Sequence, residues 1–207
     1  MDTQTSALHE LRLDHVASLL TRSTARSVLD LGCGSGALLQ RCLESGAFDR
    51  LVGLESSGVS LRNARERLAY WVDQPGAGLE LIRGSFQEPN NAFSGFDAAA
   101  MVEVIEHVPP RDLSTVERAV FEHFRPSLLV MTTPNSDYNP LFDLAPGEFR
   151  DPDHRFEWTR SEFEDWSKAQ ADKFGYDVSF TTIGEVHEKH GAPTQMAVFR
   201  RSDGGPK

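Results

Sequence analysis

Two glutamates and one histidine stand close together in residues 102–108, whose sequence is VEVIEHV. Charged side chains are rarely buried unless they are paired or bound to a metal, and the rest of this stretch is apolar. Glu103, Glu106 and His107 are spaced i, i+3 and i+4, so one helical turn would bring them to the same face. Carboxylates and imidazoles are ligands of small divalent metals. The spacing therefore predicts either three ligands of a metal site or an amphipathic turn whose charges face water.

A fourth metal ligand is available in a long segment, residues 134–158, which is rich in proline, aspartate, asparagine and aromatic residues. A loop of this length without clear periodicity is usually functional or disordered, and its aromatic residues argue against disorder. It has to cross the carboxyl ends of the predicted strands, where open α/β sheets bind their ligands. His154 is the candidate ligand in this loop. Taken alone, it also fits a surface histidine.

A glycine-rich loop, DLGCGSG at residues 30–36, joins a predicted strand to a predicted helix. Glycines such as Gly32 and Gly34 let a ligand approach the backbone, and the helix N-terminus offers free N–H groups. Glu55 ends the next predicted strand, where its carboxylate could accept hydrogen bonds from a ribose diol. These features predict a nucleotide-type cofactor, and dinucleotide-binding proteins share them.

Details of the loop favour S-adenosylmethionine over a dinucleotide. Asp30 precedes the first glycine, and a carboxylate suits an amino group or a sulfonium better than a pyrophosphate. The loop contains no basic residue that could meet a phosphate. After the third predicted strand, Ser85 and Phe86 supply a polar group and an aromatic ring where an adenine would lie. Phe86 fits a packed core side chain equally well.

The elements that must position these residues alternate along the chain. Apolar runs predict strands at 27–31, 51–54, 79–83, 96–102 and 128–132, with helices at 6–22, 37–46, 58–71 and 111–124 around them. This alternation indicates an α/β protein with a mostly parallel sheet and helices on both faces. A capping box at 159–162 opens a further helix that ends at Gly175, and two strands near 178–182 and 195–200 close the sheet. We expect a single domain over 1–207, with tails at 1–5 and 201–207.

Composition excludes several classes of function. The chain has 207 residues, of which 39% are hydrophobic, and it contains no apolar run long enough to span a bilayer. Its N-terminal residues show no secretion signal, and two cysteines are too few for a disulfide framework, so we expect a cytoplasmic enzyme without a membrane partner. A net charge of −10 argues against a protein that grips a long nucleic acid along its length.

Four motifs occur together in this chain: DLGCGSG at 30–36, EVIEH at 103–107, TTPNSDYN at 132–139 and FRDPDHRFEWTR at 149–160. In this combination the chain resembles the small-RNA 3′-terminal 2′-O-methyltransferases over about residues 8–200. The resemblance implies a Rossmann-like domain that methylates the 2′-hydroxyl of the last ribose of an RNA, using S-adenosylmethionine. It implies a metal held by Glu103, Glu106, His107 and His154. It assigns cofactor binding to Asp30, Gly32, Gly34, Glu55 and Ser85.

The residues allow a consistent chemistry for this reaction. A ribose 2′-hydroxyl is a poor nucleophile, and a divalent cation can lower its pKa and orient it. Only the terminal ribose has free 2′ and 3′ hydroxyls side by side, so a metal that binds both would select the RNA 3′ end. His107 or His154 would accept the proton. The donor set fits Mg²⁺ or Mn²⁺, and its nitrogens favour Mn²⁺.

The remaining expectations concern the substrate and the alternatives. Arg12, Arg150 and Arg155 are candidates to bind the terminal phosphates, although each alone also fits a solvated arginine. A second group of acidic and imidazole side chains at 185–190 is interpreted as an exposed polar loop. A protein of the RNA repair or small-RNA machinery is a candidate partner, and the RNA is either a small silencing RNA or a cleaved tRNA. The alternatives are a metal-independent methyltransferase of small metabolites and a catalytically silent partner that binds RNA ends.

Overall fold

A seven-stranded sheet forms the centre of the protein. The computed structural model describes residues 3–202 except positions 73, 75, 77, 143 and 146. The strands are β1 (Ser27–Leu31), β2 (Arg50–Glu55), β3 (Leu79–Arg83), β4 (Ala98–Val102), β5 (Leu128–Pro134), β6 (Tyr176–Ile183) and β7 (Thr194–Arg201). Their order is β3-β2-β1-β4-β5-β7-β6, and only β7 runs opposite to the other strands. The expected mostly parallel α/β sheet is therefore confirmed.

Helices cover both faces of this sheet, as predicted. They are α1 (Thr3–Arg22), α2 (Ala37–Ser45), α3 (Gly58–Arg67), α4 (Ala69–Val72), α5 (Leu113–Glu117), which continues as a π-helix over Arg118–Phe124, and α6 (Arg160–Phe174). Leu20 of α1 and Leu39 of α2 pack with one set of strand side chains, including Val130. Phe121 and Phe163 pack with the alternate set on the opposite face. The strand period of two thus builds two apolar cores, one under each helical layer.

Several predicted boundaries were wrong. The tail predicted at 1–5 belongs in part to α1, which begins at Thr3; residues 3–6 are all polar, so apolar spacing gave no signal there. The helix predicted at 58–71 is divided at Leu68, which leaves the helical conformation at φ −99°. The predicted C-terminal tail begins too early, because Arg201 still pairs with Tyr176 in the sheet. Residues 203–207 lie outside the described part of the chain.

The order of the strands creates a crevice at one edge of the sheet. The chain runs from β1 to β2 and β3 on one side and then returns to β4 on the other side of β1. Loops that leave the carboxyl ends of β1 and β4 diverge at this point, and doubly wound sheets bind ligands there. The glycine-rich loop follows β1, and the stretch with Glu103, Glu106 and His107 follows β4. The fold therefore brings the two predicted chemical motifs together.

Candidate active site

The glycine-rich loop is fixed to the end of β2. Gly32 and Gly34 both have positive φ, at 79° and 53°, which explains why glycine is needed there. The Gly32 N–H donates to the carbonyl of Leu54 at 2.8 Å, and the Gly34 N–H donates to Glu55 Oε2 at 2.9 Å. Glu55 Oε1 also accepts the N–H of Ser57 at 2.7 Å. Both Glu55 oxygens thus help to shape the loop that the sequence assigned to the cofactor.

A cavity of about 210 Å³ opens beside this loop and contains Asp30. The Asp30 side chain is 3% exposed, and its Oδ2 has no hydrogen-bond partner among the described residues. Burial, and then the negative charge of Glu55, raise the pKa of Asp30 to about 7. A cation in the cavity would relieve both effects. The cavity therefore fits the amino or sulfonium group of S-adenosylmethionine.

Helix α1 closes the cavity, a contribution that sequence reasoning missed. His9 and Leu13 line the cavity together with Glu103. Burial and the nearby Arg12 lower the pKa of His9. The only sequence signal was the i, i+4 spacing of His9 and Leu13 on a predicted helix, which says nothing about what that face covers.

The remaining predicted cofactor residues lie after β3. Ser85 Oγ accepts the N–H of Gln87 at 3.1 Å, and Phe86 is half-buried against the apolar core. Neither residue is among the described residues that line the cavity. Their binding of adenine stays a prediction, and the packing interpretation of Phe86 fits the structure.

The turn after β4 is not the single α-helical turn that the spacing predicted. Glu103 adopts a positive φ of 54°, and a 3₁₀ turn follows over Ile105–His107. This kink directs Glu103 towards a different set of partners. Its Oε1 accepts a hydrogen bond from Thr132 Oγ1 at 2.9 Å, and its Oε2 lies 3.3 Å from the Arg12 guanidinium. A non-glycine residue with positive φ is typical of functional sites, where surrounding contacts hold the strain.

Glu106, His107 and His154 converge, as a metal site requires. One ligand atom from each lies within 4.8 Å of the others, and the two imidazole rings are 4.9 Å apart. Glu106 is fully buried; its Oε2 accepts from Thr133 Oγ1, whereas its Oε1 has no partner in the described part of the chain. Burial, followed by the charge of Glu103, raises the pKa of Glu106 well above its usual range. An unpartnered buried oxygen beside two imidazoles fits a divalent cation.

His107 and His154 differ in their surroundings. His107 is exposed, and burial of part of its ring, followed by the proximity of His154, lowers its pKa. His154 is 9% exposed, and its Nδ1 lies 2.6 Å from Glu157 Oε1. Burial alone would raise the pKa of Glu157, but hydrogen bonds from His154, Asn139 and the Arg150 amide outweigh it and lower the pKa. Sequence reasoning missed Glu157, although it stands three residues after a candidate ligand.

The loop that carries His154 is folded onto the protein. The Arg155 N–H donates to the Glu106 carbonyl at 2.7 Å, which joins the loop to the turn after β4. The rings of Phe156 and Trp158 lie 4.5 Å apart, and Trp158 packs 5.0 Å from Trp166 of α6. These contacts hold the end of the loop, around Phe156 and Trp158, against α6.

Two of the three arginines predicted to bind phosphate make internal contacts. Arg12 is 8% exposed; it donates to Thr194 Oγ1 at 3.0 Å and pairs with Glu103. Arg150 donates to Asn139 Oδ1 and to the carbonyls of Pro193 and Asn135. Burial lowers the pKa of Arg150 to about 10. Arg155, by contrast, is exposed. A role of these arginines in substrate binding stays a prediction.

The second group of imidazoles and carboxylates forms the exposed loop that the sequence indicated. His187 and Gly191 pair in a short bridge, and the His187 and His190 rings lie 4.9 Å apart. His190 Nδ1 lies 2.6 Å from the carbonyl of Asp137. Within the described residues, the only group with metal-ligand spacing is that of Glu106, His107 and His154.

Comparisons with known proteins agree with this geometry. Residues 29–128 match a family model described as a methyltransferase domain. Together with the strand order and the cavity at Asp30, this match defines the class: the chain has the fold of Rossmann-like, S-adenosylmethionine-dependent methyltransferases. Within the described part of the chain, no helix combines the length and apolar composition that crossing a membrane requires.

Individual relatives identify the family. The chain is 40% identical to the methyltransferase domain of the bacterial protein CtHen1, covering 93% of this chain and 99% of that one with a TM-score of 0.83. The solved small RNA methyltransferase HEN1 matches 95% of this chain and 25% of its own, with 28% identity and a TM-score of 0.87. A small RNA 2′-O-methyltransferase of Rattus norvegicus is 33% identical over 95% of this chain and 52% of its own length. The chain belongs to the small RNA 2′-O-methyltransferase family, and it spans about half the length of the curated animal relatives it matches.

Proposed function

We propose that this chain transfers the methyl group of S-adenosylmethionine to the 2′-hydroxyl of the 3′-terminal ribose of an RNA, with a divalent cation bound beside the cofactor. The observation that carries this proposal is the adjacency of two sites. Glu103 lines the cofactor cavity, and Glu106 and His107, which follow it closely in the chain, converge with His154. Methyl donor and activated hydroxyl would thus meet at the crevice between β1 and β4. The names of the family relatives, small RNA 2′-O-methyltransferases, support the choice of acceptor.

The cation would be held by the buried Glu106 and by the two imidazoles. Glu103 is the fourth ligand that the family resemblance implies, and it is paired with Arg12 and Thr132 in this structure. When bound, the metal would lower the pKa of the ribose hydroxyl and orient it. Oxygen and nitrogen donors in equal number favour Mn²⁺ over Mg²⁺.

The chain's own residues perform the other tasks. Asp30 binds the cationic part of the cofactor. Gly32 and Gly34 let the cofactor approach the backbone of the glycine-rich loop. A neutral imidazole has one lone pair, so the histidine that accepts the hydroxyl proton would not bind the cation at the same moment. His107 is better suited than His154 to accept this proton, because it is exposed and its lowered pKa keeps it neutral near pH 7. As the bond from oxygen to the methyl carbon forms, the bond from that carbon to sulfur breaks. The proton goes to the imidazole, and S-adenosylhomocysteine leaves as a neutral sulfide.

Selection of the 3′ end follows from this arrangement without any reading of sequence. Only the last ribose offers a vicinal diol, and a 3′-phosphate would bring negative charge against Glu106 and Glu103. Such a site needs few phosphate contacts, which agrees with a net charge of −10. We propose that a partner protein supplies any further grip on the RNA.

The decisive experiment compares one short RNA with three 3′ ends: 2′,3′-dihydroxy, 2′-deoxy and 3′-phosphate. Transfer of labelled methyl is measured with Mn²⁺ and with chelator for the wild type, Glu106→Gln and the matched control Glu185→Gln, which changes an exposed acid. We expect transfer to the diol alone, only with metal, in the wild type and in the control. Metal-independent transfer would refute the metal mechanism, and transfer to small metabolites instead of RNA would refute the proposed acceptor. Binding of the RNA end without any transfer would favour the catalytically silent alternative.

A further inference from the structure

Glu157 is a carboxylate whose side chain is fully buried behind the candidate metal site. Its Oε1 lies 2.6 Å from His154 Nδ1 and accepts the backbone N–H of Arg150 at 2.8 Å. Its Oε2 accepts from Asn139 Nδ2 at 2.6 Å. Three donors therefore surround a single buried acceptor group. Buried carboxylates are stable only when they are paired and hydrogen-bonded in this way.

The contact with Glu157 determines which nitrogen of His154 can bind a metal. An ionised carboxylate only accepts hydrogen bonds, so the short contact requires a proton on His154 Nδ1. A neutral imidazole has one N–H, and its other nitrogen, Nε2, then carries a free lone pair. His154 also belongs to the group whose ligand atoms lie within 4.8 Å of Glu106 and His107. The arrangement matches that of metal-bound histidines, which donate their second nitrogen to a carboxylate.

We propose that Glu157 is a positioning residue that fixes the ring of His154 with Nδ1 protonated and Nε2 free to bind the divalent cation. The inference rests on the proposed metal-dependent function, because it assigns Glu157 a role towards that cation. Glu157 itself does not touch the metal or the substrate. It acts through His154.

Arg150 and Asn139 make Glu157 rigid in turn. Arg150 Nε donates to Asn139 Oδ1 at 2.7 Å, so the Asn139 amide must turn its Nδ2 towards Glu157. Arg150 Nη1 donates to the carbonyl of Pro193, the residue before β7, at 2.5 Å. The chain of contacts therefore links His154 to the rigid sheet through side chains of one loop. This network gives Arg150 a structural role that the sequence did not indicate.

Replacing Glu157 by glutamine tests the proposal because an amide cannot satisfy this set of donors. If its oxygen faces His154 and the Arg150 N–H, its NH₂ faces the NH₂ of Asn139. If it is reversed, its NH₂ faces the Arg150 N–H, and His154 must take its proton on Nε2 to accept at Nδ1. Each arrangement leaves two buried donors against each other, or blocks the metal-binding nitrogen.

The primary measurement is the affinity for Mn²⁺ alone, by titration calorimetry, in the wild type, Glu157→Gln and Glu117→Gln. Glu117 is the matched control, since it is also a mostly buried acid that accepts a side-chain hydrogen bond, from Trp166 at 3.0 Å. We expect about 10- to 100-fold weaker Mn²⁺ binding in Glu157→Gln, the usual effect of removing a hydrogen-bond partner of a metal-bound histidine. Glu117→Gln should bind Mn²⁺ like the wild type. Equal Mn²⁺ affinity in Glu157→Gln and in the wild type would overturn the proposal.

Methyl transfer distinguishes positioning from general support of the fold. A positioning role predicts that excess Mn²⁺ restores most of kcat in Glu157→Gln, with a raised metal requirement and an unchanged KM for S-adenosylmethionine. Loss of kcat that no metal concentration restores, together with a raised KM for the cofactor, would indicate a structural role instead and refute the proposal.

A spectroscopic measurement on the wild type keeps the inference testable if Glu157→Gln does not fold. ¹⁵N-labelled imidazole signals, assigned with His154→Gln and recorded in the metal-free protein at a pH where the His154 ring carries a single proton, should show a protonated Nδ1 and an unprotonated Nε2. Protonation at Nε2 instead would overturn the proposal. If the wild type binds no Mn²⁺ but the Nδ1 proton is present, the proposed metal mechanism fails while the Glu157–His154 contact stands.

Discussion

At the scale of single residues, two buried carboxylates carry most of the functional information. Asp30 and Glu106 each have a buried oxygen without a partner among the described residues, and burial raises the pKa of both. Leaving such groups unpaired destabilises a fold, so their presence indicates ligands that complete them. Asp30 faces the cofactor cavity, and Glu106 lies with two imidazoles. One residue therefore favours an organic cation, and the other favours a metal.

Cofactor affinity should depend on pH through Asp30. Its pKa of about 7 means that acid neutralises the carboxyl and removes the charge that attracts the cofactor cation. We expect the affinity for S-adenosylmethionine to fall as the pH drops below about 7, by up to about tenfold per unit, in titrations without metal. Asp30→Asn should bind weakly and lose this pH dependence. The same profile in both proteins would contradict the assignment.

The raised pKa of Asp30 also has a consequence for stability. The folded state favours the neutral carboxyl, so this group's contribution to stability falls as the pH rises from 3.8 through about 7. Cofactor-free Asp30→Asn should therefore unfold at a higher temperature than the wild type at pH above 7, and the difference should shrink in acid. Thermal unfolding against pH measures this. A less stable Asp30→Asn at high pH would refute it.

Replacing Glu106 should weaken metal binding without lowering the stability of the metal-free protein. Replacing it by glutamine removes a buried charge whose pKa is raised, so the metal-free protein should lose no stability near neutral pH. In the wild type, saturation with Mn²⁺ to about 100 times Kd should raise Tm by roughly 5 to 10 °C. We expect no such rise in Glu106→Gln and a normal rise in Glu185→Gln. An equal rise in all three proteins would exclude the Glu106 site.

At the scale of elements, the glycine-rich loop and the turn after β4 are packed against each other. A Cβ at Gly32 would lie 2.9 Å from both methyl groups of Val104, and Gly32 already has φ +79°. Val104 stands between Glu103 and the 3₁₀ turn that carries Glu106 and His107. The shape of one loop therefore depends on the position of the other. This contact is a physical reason for cofactor and metal to bind cooperatively.

Gly32→Ala should disturb both sites at once. The new methyl group would push Val104 and the turn away from the loop, in addition to the strain of a positive φ. Gly46→Ala is the matched control, because Gly46 also has positive φ, at 64°, but a Cβ there meets no described atom within 4 Å. We expect a loss of about 1 to 2 kcal/mol in both from strain, and weaker binding of Mn²⁺ and of S-adenosylmethionine in Gly32→Ala alone. Unchanged Mn²⁺ affinity in Gly32→Ala would show that the two loops are independent.

At the scale of the whole molecule, an acidic chain is proposed to act on a polyanion. The net charge of −10 and the internal contacts of Arg12 and Arg150 leave little basic surface for a phosphate backbone at the site. Recognition would then depend on the terminal diol and on the metal, with phosphate contacts in a minor role. This arrangement would explain how a protein of this charge could act on the proposed RNA substrate.

RNA binding should therefore be only weakly dependent on salt. With no more than about three phosphates neutralised, log K should fall with log salt at a slope of about −2 for single strands. The measurement is RNA affinity against salt concentration, in the presence of Mn²⁺ and S-adenosylhomocysteine. Arg155→Ala should reduce the slope, since Arg155 is exposed, whereas Arg22→Ala, at the far end of α1, should not. A slope several times steeper would indicate an extended basic surface.

The sequence determined the fold class and the chemistry of the site. Apolar runs of strand length between helices required a parallel sheet, and its topology then placed the loops at 30–36 and 103–107 at one edge. The residue types of Asp30, Glu106, His107 and His154 limited what could bind there. These features could be predicted because they depend on local pattern and on general rules of α/β topology.

Only the tertiary structure decided the partners of the site residues. Arg12 bonds to Thr194, which is 182 positions away, and Glu103 bonds to Thr132 because a positive φ turns it out of the expected helical face. His9 lies outside every motif, and the motif that contains Glu157 gives no sign of its role, because the contacts of both residues arise only when a long loop and α1 fold over the sheet. A buried polar group must find a partner wherever the chain provides one, and that choice depends on the positions of all the elements together. The sequence thus specified which chemistry was available, and long-range packing decided which atoms perform it.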